Sequence, residues 1–497
     1  MSARSSESVC WASADDAAHL EANAQCDDVK FSSESGTETM TPQAHALSRK
    51  TLVCYSAGSI VETSIYGFCG LYLLNFYTDV IGLGPQLVAS ALAIRFLLDA
   101  VSDPVVGYLS DHTQSIRGRR RPFFLVGAFP AAVFFYLLFT PPALSVTALL
   151  VYLTVVSSAL YLSLTVFGIP YMALSWELTP AYDERTRISV YRRGMEVVAE
   201  VLAILSIPLL LSLAAATNAD AEPTSAATRQ SYQIAGLVIG GAAIIAAVIA
   251  YAGTSGEGIA AAKQTYSFLE GCRTVFRNKP FVILLVTFTL VAVADRVAMA
   301  LLYFLLENFH GIPKQNATTL LLTFFAGSLF TPGVWQFVSA KFGKKAGYLL
   351  AIVSWAIVFG SFAAYAWPAP ALYCVVFLMG AVSTGVLTMP GAIAPDVIEW
   401  DQFQSGQRRE GAYAGVTKFS WKLGTAVCFF LLGYLLEAIG YRGDEETNPK
   451  VLDGLRITFA GLPGLLLLAA VCVFWFFPIT KTNHEAMVRA LGERPKI

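Results

Sequence analysis

The chain has 497 residues, 55% of them hydrophobic and only 14% charged, and its net charge is −1. A soluble protein of this length carries about a quarter charged residues to cover its surface, so much of this surface does not face water. A near-zero net charge provides no field that attracts nucleic acid, which excludes nucleic acid as a partner. The eight cysteines contain no C-x-x-C pair, so neither a disulfide framework nor a zinc site is expected.

Residues 1–48 form a polar segment rich in Ser, Ala, Asp and Glu. The segment lacks the apolar core of a secretory signal peptide. Its scarcity of large apolar residues predicts a disordered, solvent-exposed tail.

Twelve apolar stretches follow, each long enough to cross a hydrocarbon core about 30 Å thick. They are residues 52–78, 87–109, 123–141, 146–176, 190–216, 232–253, 281–306, 316–338, 346–366, 371–397, 412–438 and 455–477. Each is predicted to be a helix, because lipid offers backbone amide and carbonyl groups no hydrogen-bond partners. The chain is therefore predicted to be an all-α membrane protein with about twelve transmembrane helices.

Lysine and arginine residues are concentrated in alternate loops, which predicts the orientation of the chain in its membrane. The basic loops are residues 117–121, 185–187, 263–279, 341–345 and 408–409, together with the C-terminal segment. The opposite loops offer Arg229, Lys314, Arg442 and Lys450. Both termini and the central loop are therefore predicted to be cytoplasmic, and the default location is the inner membrane of a bacterium.

An internal repeat divides the chain into two six-helix halves. Gly107–Asp111 and a basic turn follow the second span, and Gly333–Phe337 and a basic turn follow the eighth. A glycine at such a position lets two helices approach closely. The predicted organisation is a cytoplasmic tail at 1–48, bundles at 49–253 and 281–478 joined by a cytoplasmic loop at 254–280, and a cytoplasmic tail at 479–497. Two halves that rock about a midplane site are the architecture of a major-facilitator transporter.

Several spans or their ends contain charged residues, which cost about 2.5–3.5 kcal/mol each at membrane depth and therefore indicate function. These residues are Glu62, Arg95, Asp99, Asp103, Arg192, Arg193, Glu196, Glu200, Asp295, Arg296, Lys418 and Lys422.

Asp99 and Asp103 are the most informative pair, because i, i+4 spacing places both carboxylates on one face of a helix. Two carboxylates in a low-dielectric site cannot both stay ionised without a counter-charge. They therefore hold a proton or coordinate a cation such as Na⁺. The alternative is that Arg95, one turn earlier on the same face, neutralises Asp99.

Two lysines lie in the eleventh span. Lys422 is far from the predicted cytoplasmic end for a snorkelling side chain, which favours a place on the transport pathway. Lys418, one turn nearer that end, is compatible with snorkelling.

The remaining intramembrane charges lie in the fifth and seventh spans. Asp295 and Arg296 are either a solute-binding pair or a local structural pair. The arginines of the fifth span are placed to pair with its glutamates along one helix.

Three motifs lie in this framework. The first motif consists of Tyr77–Val80, Asp99–Pro104 and Gly118–Pro122. The second consists of Gly168–Tyr171 and Tyr191–Arg193. The third consists of Asp396–Asp401, Gly406–Gly411 and Lys422. These motifs resemble those of the glycoside–pentoside–hexuronide:cation symporters, the major-facilitator family that includes the sodium/melibiose permease. The resemblance covers nearly all of residues 50–480. It implies symport of a sugar, glycoside or uronide with Na⁺ or H⁺.

The resemblance also implies roles for single residues. The cation site would contain Asp99, Asp103, Thr165 and Ser102, the two carboxylates holding Na⁺ if sodium is the coupling ion. The solute site would contain Glu62 or its neighbour Thr63, Arg193 and Lys422, and Asp295 is added to it because of its charge. Arg119, Arg120, Arg121 and Asp111 are predicted to form an inner gate with the 401–411 loop.

The chain departs from the family pattern at three positions. Gly168 replaces the aspartate with which the melibiose permease binds galactosides, and Met172 replaces a tryptophan. Ser102 replaces an asparagine beside the second carboxylate of the cation site. Melibiose-like galactosides are therefore not expected, and Na⁺ and H⁺ both stay open as coupling ions.

The predicted function is cation-coupled symport of a small polar solute by alternating access. The alternatives are a lysolipid or other amphiphile carrier on the same fold, or an uncoupled facilitator. The sequence has no Ser-His or Cys-His constellation and no P-loop, so neither an enzyme nor an ATP-driven pump is expected. The expected partners are the solute and the lipid bilayer, with no cofactor besides the coupling ion, and the chain is expected to work as a monomer.

Overall fold

The computed structural model describes residues 47–179, 181–217, 225–255, 267–308, 317–365, 367–438, 449–484 and 487. The predicted N-terminal tail lies outside these residues except for its last two positions. Lys314, Arg442, residues 256–266 of the central loop and most of the C-terminal tail also lie outside them. Within the described ranges the regular structure is helical, without strands.

The helices of the first half follow the predicted spans. The first span consists of α1 (Arg49–Ala57), α2 (Ser59–Asn75) and a π-helical turn at Phe76–Val80. The next five are α3 (Pro85–His112), α4 (Pro122–Leu138), α5 (Val146–Glu177), α6 (Tyr182–Thr217) and α7 (Ser225–Gly253).

The helices of the second half follow the prediction with one break. They are α9 (Lys279–Asn308), α10 (Ala317–Phe330), α11 (Pro332–Phe342), α12 (Lys344–Ala364), α13 (Ala369–Ser405), α14 (Glu410–Ala438) and α15 (Pro449–Trp475). The predicted eighth span is the pair α10 and α11, which is bent by 40°. The break falls before Pro332, which has no backbone N–H to donate within a helix.

The predicted central loop contains a helix that was not expected. This helix, α8, spans Phe268–Arg277 and begins with a capping box in which Ser267 and Glu270 satisfy each other's backbone N–H groups. α6 and α13 also extend eight residues beyond their predicted spans, from 190 back to Tyr182 and from 397 on to Ser405. In both cases the extension is polar, and the apolar pattern could not reveal it.

Seven helices of the described chain are long and apolar enough to cross a membrane, or eight if α10 and α11 form one span. α4 and the end of α15 are apolar but shorter. α3 and α14 contain the charged residues of the candidate site, and each charge lowers the mean apolarity of its helix.

α3 shows how a charged span is accommodated. Leu98 and Val101 are 56% and 63% exposed, whereas Asp103 on the opposite face is fully buried. The apolar face is suited to lipid, and the carboxylate face points into the protein.

The buried apolar residues form two clusters. One draws its members from Leu47 to Ala250, and the other draws most of its members from Val275 to Ile479. α14 packs against α3 and α5, and α6 packs against α10, α11 and α13. These contacts join the first six spans to the last six, and the candidate site lies along them. The boundaries assigned to the two halves stay a prediction.

Candidate functional site

Two glycines of α14 allow this helix to pack closely against α3. Gly411 and Gly415 are one helical turn apart, and a Cβ at Gly411 would overlap the carbonyl oxygen of Gly107. A Cβ at Gly415 would lie 2.8 Å from the carbonyl oxygen of Asp103. Such small-x-x-x-small spacing allows close backbone approach. The sequence contains this G-x-x-x-G signal, but close packing was predicted only at Gly107 and Gly333.

The acidic pair of α3 meets side chains from α5 and α14. Asp99 is 5% exposed and Asp103 is fully buried. Lys422 places its Nζ 2.8 Å from Oδ1 of each carboxylate. The Thr165 hydroxyl lies 3.1 Å from the same two oxygens. The structure therefore brings together four of the residues predicted for the cation and solute sites.

The charges in this group are not balanced. Two carboxylates contact one ammonium group, so the direct contacts leave one negative charge without an ion-pair partner among the described residues. Oδ2 of Asp103 is buried and has no hydrogen-bond partner among the described residues. The single proton of the Thr165 hydroxyl can be donated to only one carboxylate at a time. A proton or a monovalent cation would supply the missing charge.

Two residues predicted near the pair make other contacts. The guanidinium of Arg95 lies 3.7 Å over the ring of Tyr161. The ion-pair partner of Asp99 is Lys422 rather than Arg95. The Ser102 hydroxyl donates to the carbonyl oxygen of Asp99 within its own helix, at 2.8 Å. The structure does not bring this hydroxyl to the acidic pair.

Glu62 and Lys418 form an ion pair between α2 and α14. Lys418, which the sequence placed among the snorkelling candidates, instead points inward to the opposite half. Both side chains keep partial exposure, 17% for Glu62 and 21% for Lys418. Thr63, the alternative to Glu62, is half-buried. Of these two neighbouring residues, Glu62 is therefore the one that has an ion-pair partner, Lys418.

Arg193 is buried and paired, as its helical spacing predicts. Its Nη1 lies 3.1 Å from Glu200 and 3.4 Å from Glu196. Its Nη2 also lies 3.3 Å from the hydroxyl of Ser328 on α10. Arg193 thus links α6 to the second half.

Asp295 and Arg296 form a local ion pair at 2.6 Å. The guanidinium of Arg296 also lies 5.6 Å from the centre of the Trp421 ring. The geometry supports the local structural pair rather than two groups aimed at a solute.

A cluster of ion pairs holds the two halves together at one end, and we call it the first closing cluster. It consists of Asp111, Arg119, Arg120, Glu177 and Glu410. Arg120 is 1% exposed and pairs with Asp111 and with Glu177, the latter at 2.9 Å. Arg119 bridges Glu177 at 2.6 Å and Glu410 at 3.1 Å. This cluster therefore joins the first half to the start of α14.

The electrostatics of the first closing cluster keep Arg120 charged. Burial alone would lower the pKa of its guanidinium, but the carboxylates of Glu177, Asp111 and Glu410 outweigh burial and raise that pKa.

Arg121 differs from its neighbours, because it donates to the carbonyl oxygen of Tyr251 at 2.6 Å within the first half. Within the described ranges, the side-chain contacts of Arg121 are with Arg117 and Tyr251, both in the first half.

The second closing cluster consists of Arg185, Lys344, Asp396, Glu399 and His484. Arg185 of α6 pairs with Glu399 and, at 2.7 Å, with Asp396. Lys344 lies 2.8 Å from Asp396, and Nε2 of His484 lies 2.7 Å from Glu399. Sequence reasoning missed this cluster, although Asp396 and Glu399 lie in the third motif.

Three residues of the second closing cluster have the geometry of a metal site. The potential ligand atoms of Asp396, Glu399 and His484 lie within 4.8 Å of one another. However, Arg185 and Lys344 already provide the two carboxylates with cationic partners. The chemistry of this cluster is therefore that of an ionic contact between the halves.

Comparison with known proteins decides the family. The sequence profile of the family described as MFS/sugar transport protein matches residues 54–481. The chain belongs to this family. It is therefore a multi-pass membrane transporter of the major-facilitator fold and not an enzyme, and the predicted symporter family is confirmed.

The relatives agree with this assignment. The uncharacterized symporter YnaJ of Bacillus subtilis is 26% identical over 90% of this chain and 95% of its own. The glucuronide carrier protein homolog of Escherichia coli is 24% identical over 91% of this chain and 97% of its own. A bacterial homologue of the iron transporter ferroportin, solved in an outward-facing state, has a TM-score of 0.63 and 13% identity. It covers 86% of this chain and 98% of its own. The structural match shows the fold alone, and the names of the relatives support solute symport.

Proposed function

We propose that this protein couples the entry of one monovalent cation, Na⁺ or H⁺, to the transport of a small polar solute of the sugar, glycoside or uronide class. The observation that carries the proposal is the charge deficit at Asp99 and Asp103. One ammonium group, from Lys422, faces two buried carboxylates. The cation completes the group, and its absence leaves a buried negative charge that opposes movement of the halves.

The position of the site supports coupling. The carboxylates belong to α3 of the first half, and Lys422 belongs to α14 of the second. A cation that binds the carboxylates weakens their attraction to Lys422 and so changes the contact between the halves. Transport would follow by alternating access, with the two closing clusters breaking and re-forming.

The orientation and location belong to the same proposal. Both closing clusters lie at helix ends next to basic loops, which the distribution of Lys and Arg assigns to the cytoplasm. We place the protein in a bacterial inner membrane as a functional monomer, with both termini cytoplasmic and solute entering from the opposite side in the state described.

The test uses purified protein in liposomes. Na⁺ is added while intrinsic fluorescence or heat is recorded for the wild type, for Asp103→Asn, and for the control Asp79→Asn, whose carboxylate is exposed. A saturable response in the wild type and the control that is lost in Asp103→Asn supports Na⁺ coupling. Proton uptake that accompanies solute transport and is lost in Asp103→Asn supports H⁺ coupling. Silence towards both ions contradicts coupling and favours a facilitator or an amphiphile carrier.

A further inference from the structure

The helix of the central loop, α8, has one face turned to the protein and another turned outward. Gly271 and Val275 of α8 and the adjoining Asn278 recur at helical spacing and are buried. Leu269 and Phe276 lie on a different face and are 78% and 56% exposed. A helix of ten residues is too short to cross a membrane, so these two apolar side chains do not belong to a transmembrane span.

Contacts at both ends fix the orientation of α8. The ring of Phe268 packs edge-on against the ring of Tyr108 on α3, with 5.7 Å between their centres. At the other end, the side chain of Asn278 donates to the Tyr413 hydroxyl of α14 at 2.8 Å. The same amide donates to the carbonyl oxygen of Val397 on α13 at 3.1 Å. Because both ends are attached, α8 cannot rotate its exposed apolar side chains into the protein.

The attachment to Tyr108 places α8 at the end of a surface that is suited to lipid. An exposed apolar stripe recurs at helical spacing along α3 and consists of Leu98, Val101, Val105 and Leu109. The stripe ends beside the tyrosine that α8 contacts, and the basic loop after α3 follows. α8 therefore lies where the apolar surface of the bundle gives way to basic loops, which is the level of phospholipid headgroups.

Two arginines accompany the exposed apolar pair of α8. Arg273 lies one turn after Leu269 and one turn before Phe276, so it shares their face. Arg277 is exposed one turn further along the helix. Neither arginine forms an ion pair within the part of the chain that the structure describes. The carboxylate of Glu270 is engaged in the capping box at the start of the helix. The outward face of α8 is thus apolar and basic.

We propose that α8 is an interfacial helix that docks on anionic phospholipid. Leu269 and Phe276 insert among the acyl chains at the membrane surface. Arg273 and Arg277 donate hydrogen bonds to phosphate oxygens of the headgroups, for which the planar guanidinium is suited. In the orientation proposed above, this is the cytoplasmic leaflet, whose anionic lipids attract basic segments next to a membrane span.

The position of the exposed face favours lipid over a soluble protein as its occupant. The apolar side chains of α8 continue the lipid-facing stripe of α3, so a bilayer that covers the stripe reaches α8 as well. A soluble protein seated on Leu269 and Phe276 would have to displace the headgroups beside that stripe. Lipid satisfies the apolar pair and the two guanidinium groups together.

The first experiment needs no variant. The intact wild type is placed in nanodiscs of phosphatidylcholine alone and of equal parts phosphatidylcholine and phosphatidylglycerol, and hydrogen–deuterium exchange of the α8 amides is recorded. Exchange is expected to be at least tenfold slower with phosphatidylglycerol. High salt should reduce this difference, because it screens the attraction between guanidinium and phosphate. Equal exchange in the two bilayers overturns the proposal.

Two further additions identify the occupant. Inorganic phosphate added to the phosphatidylcholine nanodiscs is expected to leave exchange of the α8 amides unchanged. Protection by phosphate equal to that by phosphatidylglycerol would show a site for a free anion and overturn the proposal. Protection that appears in neither bilayer but follows addition of a soluble cytoplasmic fraction would assign the face to a protein partner and overturn it as well.

A charge variant assigns the contact to the side chains of α8. Arg273→Gln combined with Arg277→Gln is expected to abolish the difference between the two bilayers. The control Lys481→Gln should keep the difference, because Lys481 lies 3.6 Å from the carboxylate of Asp183 and is not part of α8. A double arginine variant that responds as the wild type does overturns the proposal.

An apolar variant tests insertion separately from charge. In Leu269→Ser combined with Phe276→Ser the arginines are intact, and both substitutions lie on the outward face, so the transmembrane amides should exchange as in the wild type. The α8 amides are expected to exchange several-fold faster than those of the wild type in the nanodiscs that contain phosphatidylglycerol. Protection equal to that of the wild type would show headgroup contact without insertion and overturn the assignment of α8 as an interfacial helix.

Discussion

The carboxylate of Asp111 accepts a hydrogen bond from the backbone N–H of Gly411 at 2.9 Å, although 300 residues separate them. The same carboxylate accepts a second bond from the N–H of Ala412 at 3.0 Å. These two N–H groups belong to the first turn of α14 and have no partner within that helix. A residue at the end of α3 in the first half thus caps a helix of the second half. The cap exists only while the halves are closed at this end.

We therefore expect Asp111→Ala to open this end of the protein. The substitution removes the cap and also leaves Arg120 without one of its carboxylates, and loss of one partner of a buried ion pair typically costs about 3–5 kcal/mol. Hydrogen–deuterium exchange of the amides of Gly411 and Ala412 should become at least tenfold faster. Asp183→Ala is the control, because Asp183 is 59% exposed and its ion pair within the described residues is a 3.6 Å contact with Lys481. Equal exchange in both variants would show that the cap does not hold the halves together.

Gly107→Ala is expected to weaken the same closure by steric overlap. A Cβ at position 107 would meet the carbonyl oxygen of Gly411 and lie 2.9 Å from its carbonyl carbon. Backbone atoms cannot move aside as a side-chain tip can, so α3 and α14 must separate. Transport should fall at least tenfold, and exchange of the α14 amides should rise. Gly333→Ala, at the repeat-related position, should transport normally, since nothing lies within 4 Å of a Cβ there.

The pair of glycines shows what a repeat in the sequence can and cannot establish. The repeat located the ends of two spans correctly, because apolar length and basic turns are local properties. It assigned close packing to both Gly107 and Gly333, but the structure shows it at Gly107 alone. Which glycine meets another backbone depends on how helices from the two halves cross. That relationship is absent from the local pattern.

Among the charged residues, too, the sequence predicts local pairs but not pairs between distant helices. Asp99 and Asp103 were predicted as a unit because i, i+4 spacing is visible in the sequence. The partner of Lys418 was not predicted, since Glu62 lies 356 residues away and no local rule pairs them. The sequence shows Gly168 only as the position where an aspartate is missing, whereas its role in making room for Glu62 and Lys418 depends on the packing of three helices.

The hydroxyl of Thr165 offers a test of cation binding that keeps both carboxylates. It lies 3.1 Å from Oδ1 of Asp99 and of Asp103. Thr165→Val is expected to weaken the apparent affinity for the coupling cation by about 10–100-fold, since a hydrogen bond to a charged group contributes about 1.5–3 kcal/mol. Thr165→Ser should retain most of the affinity. The measurement is titration of the cation response in liposomes.

Ser102→Ala is the matched comparison for Thr165→Val. The Ser102 hydroxyl is bound to the Asp99 carbonyl oxygen and does not face the acidic pair. Its removal should change cation affinity less than threefold. A large loss in Ser102→Ala with no loss in Thr165→Val would reverse the assignment of the two hydroxyls.

A substitution at His484 tests whether the C-terminal segment stabilises the contact between the two halves. This residue is 2% exposed, lies 2.7 Å from Glu399, and packs its ring 5.3 Å from that of Tyr182. Glu399 belongs to the second half and Tyr182 to the first, so the imidazole contacts both. His484→Ala removes these contacts together with those to Arg185 at 3.5 Å and Asp396 at 3.6 Å, and leaves Arg185 as the ion-pair partner of Glu399 within the described ranges.

We expect His484→Ala to free the segment around Lys481, whose side chain is 41% exposed in the closed state. Trypsin should then cleave after Lys481 several-fold faster, and transport should slow if the segment stabilises the closed state. Asn483→Ala is the control, because Asn483 is exposed and adjacent. Cleavage at the wild-type rate in His484→Ala would show that the segment is held by the buried Ile479 and Met487 rather than by the ionic cluster. Faster cleavage with normal transport would separate attachment of the segment from closure of the halves, and would leave Arg185 with Asp396 and Glu399 as the contact that controls this end.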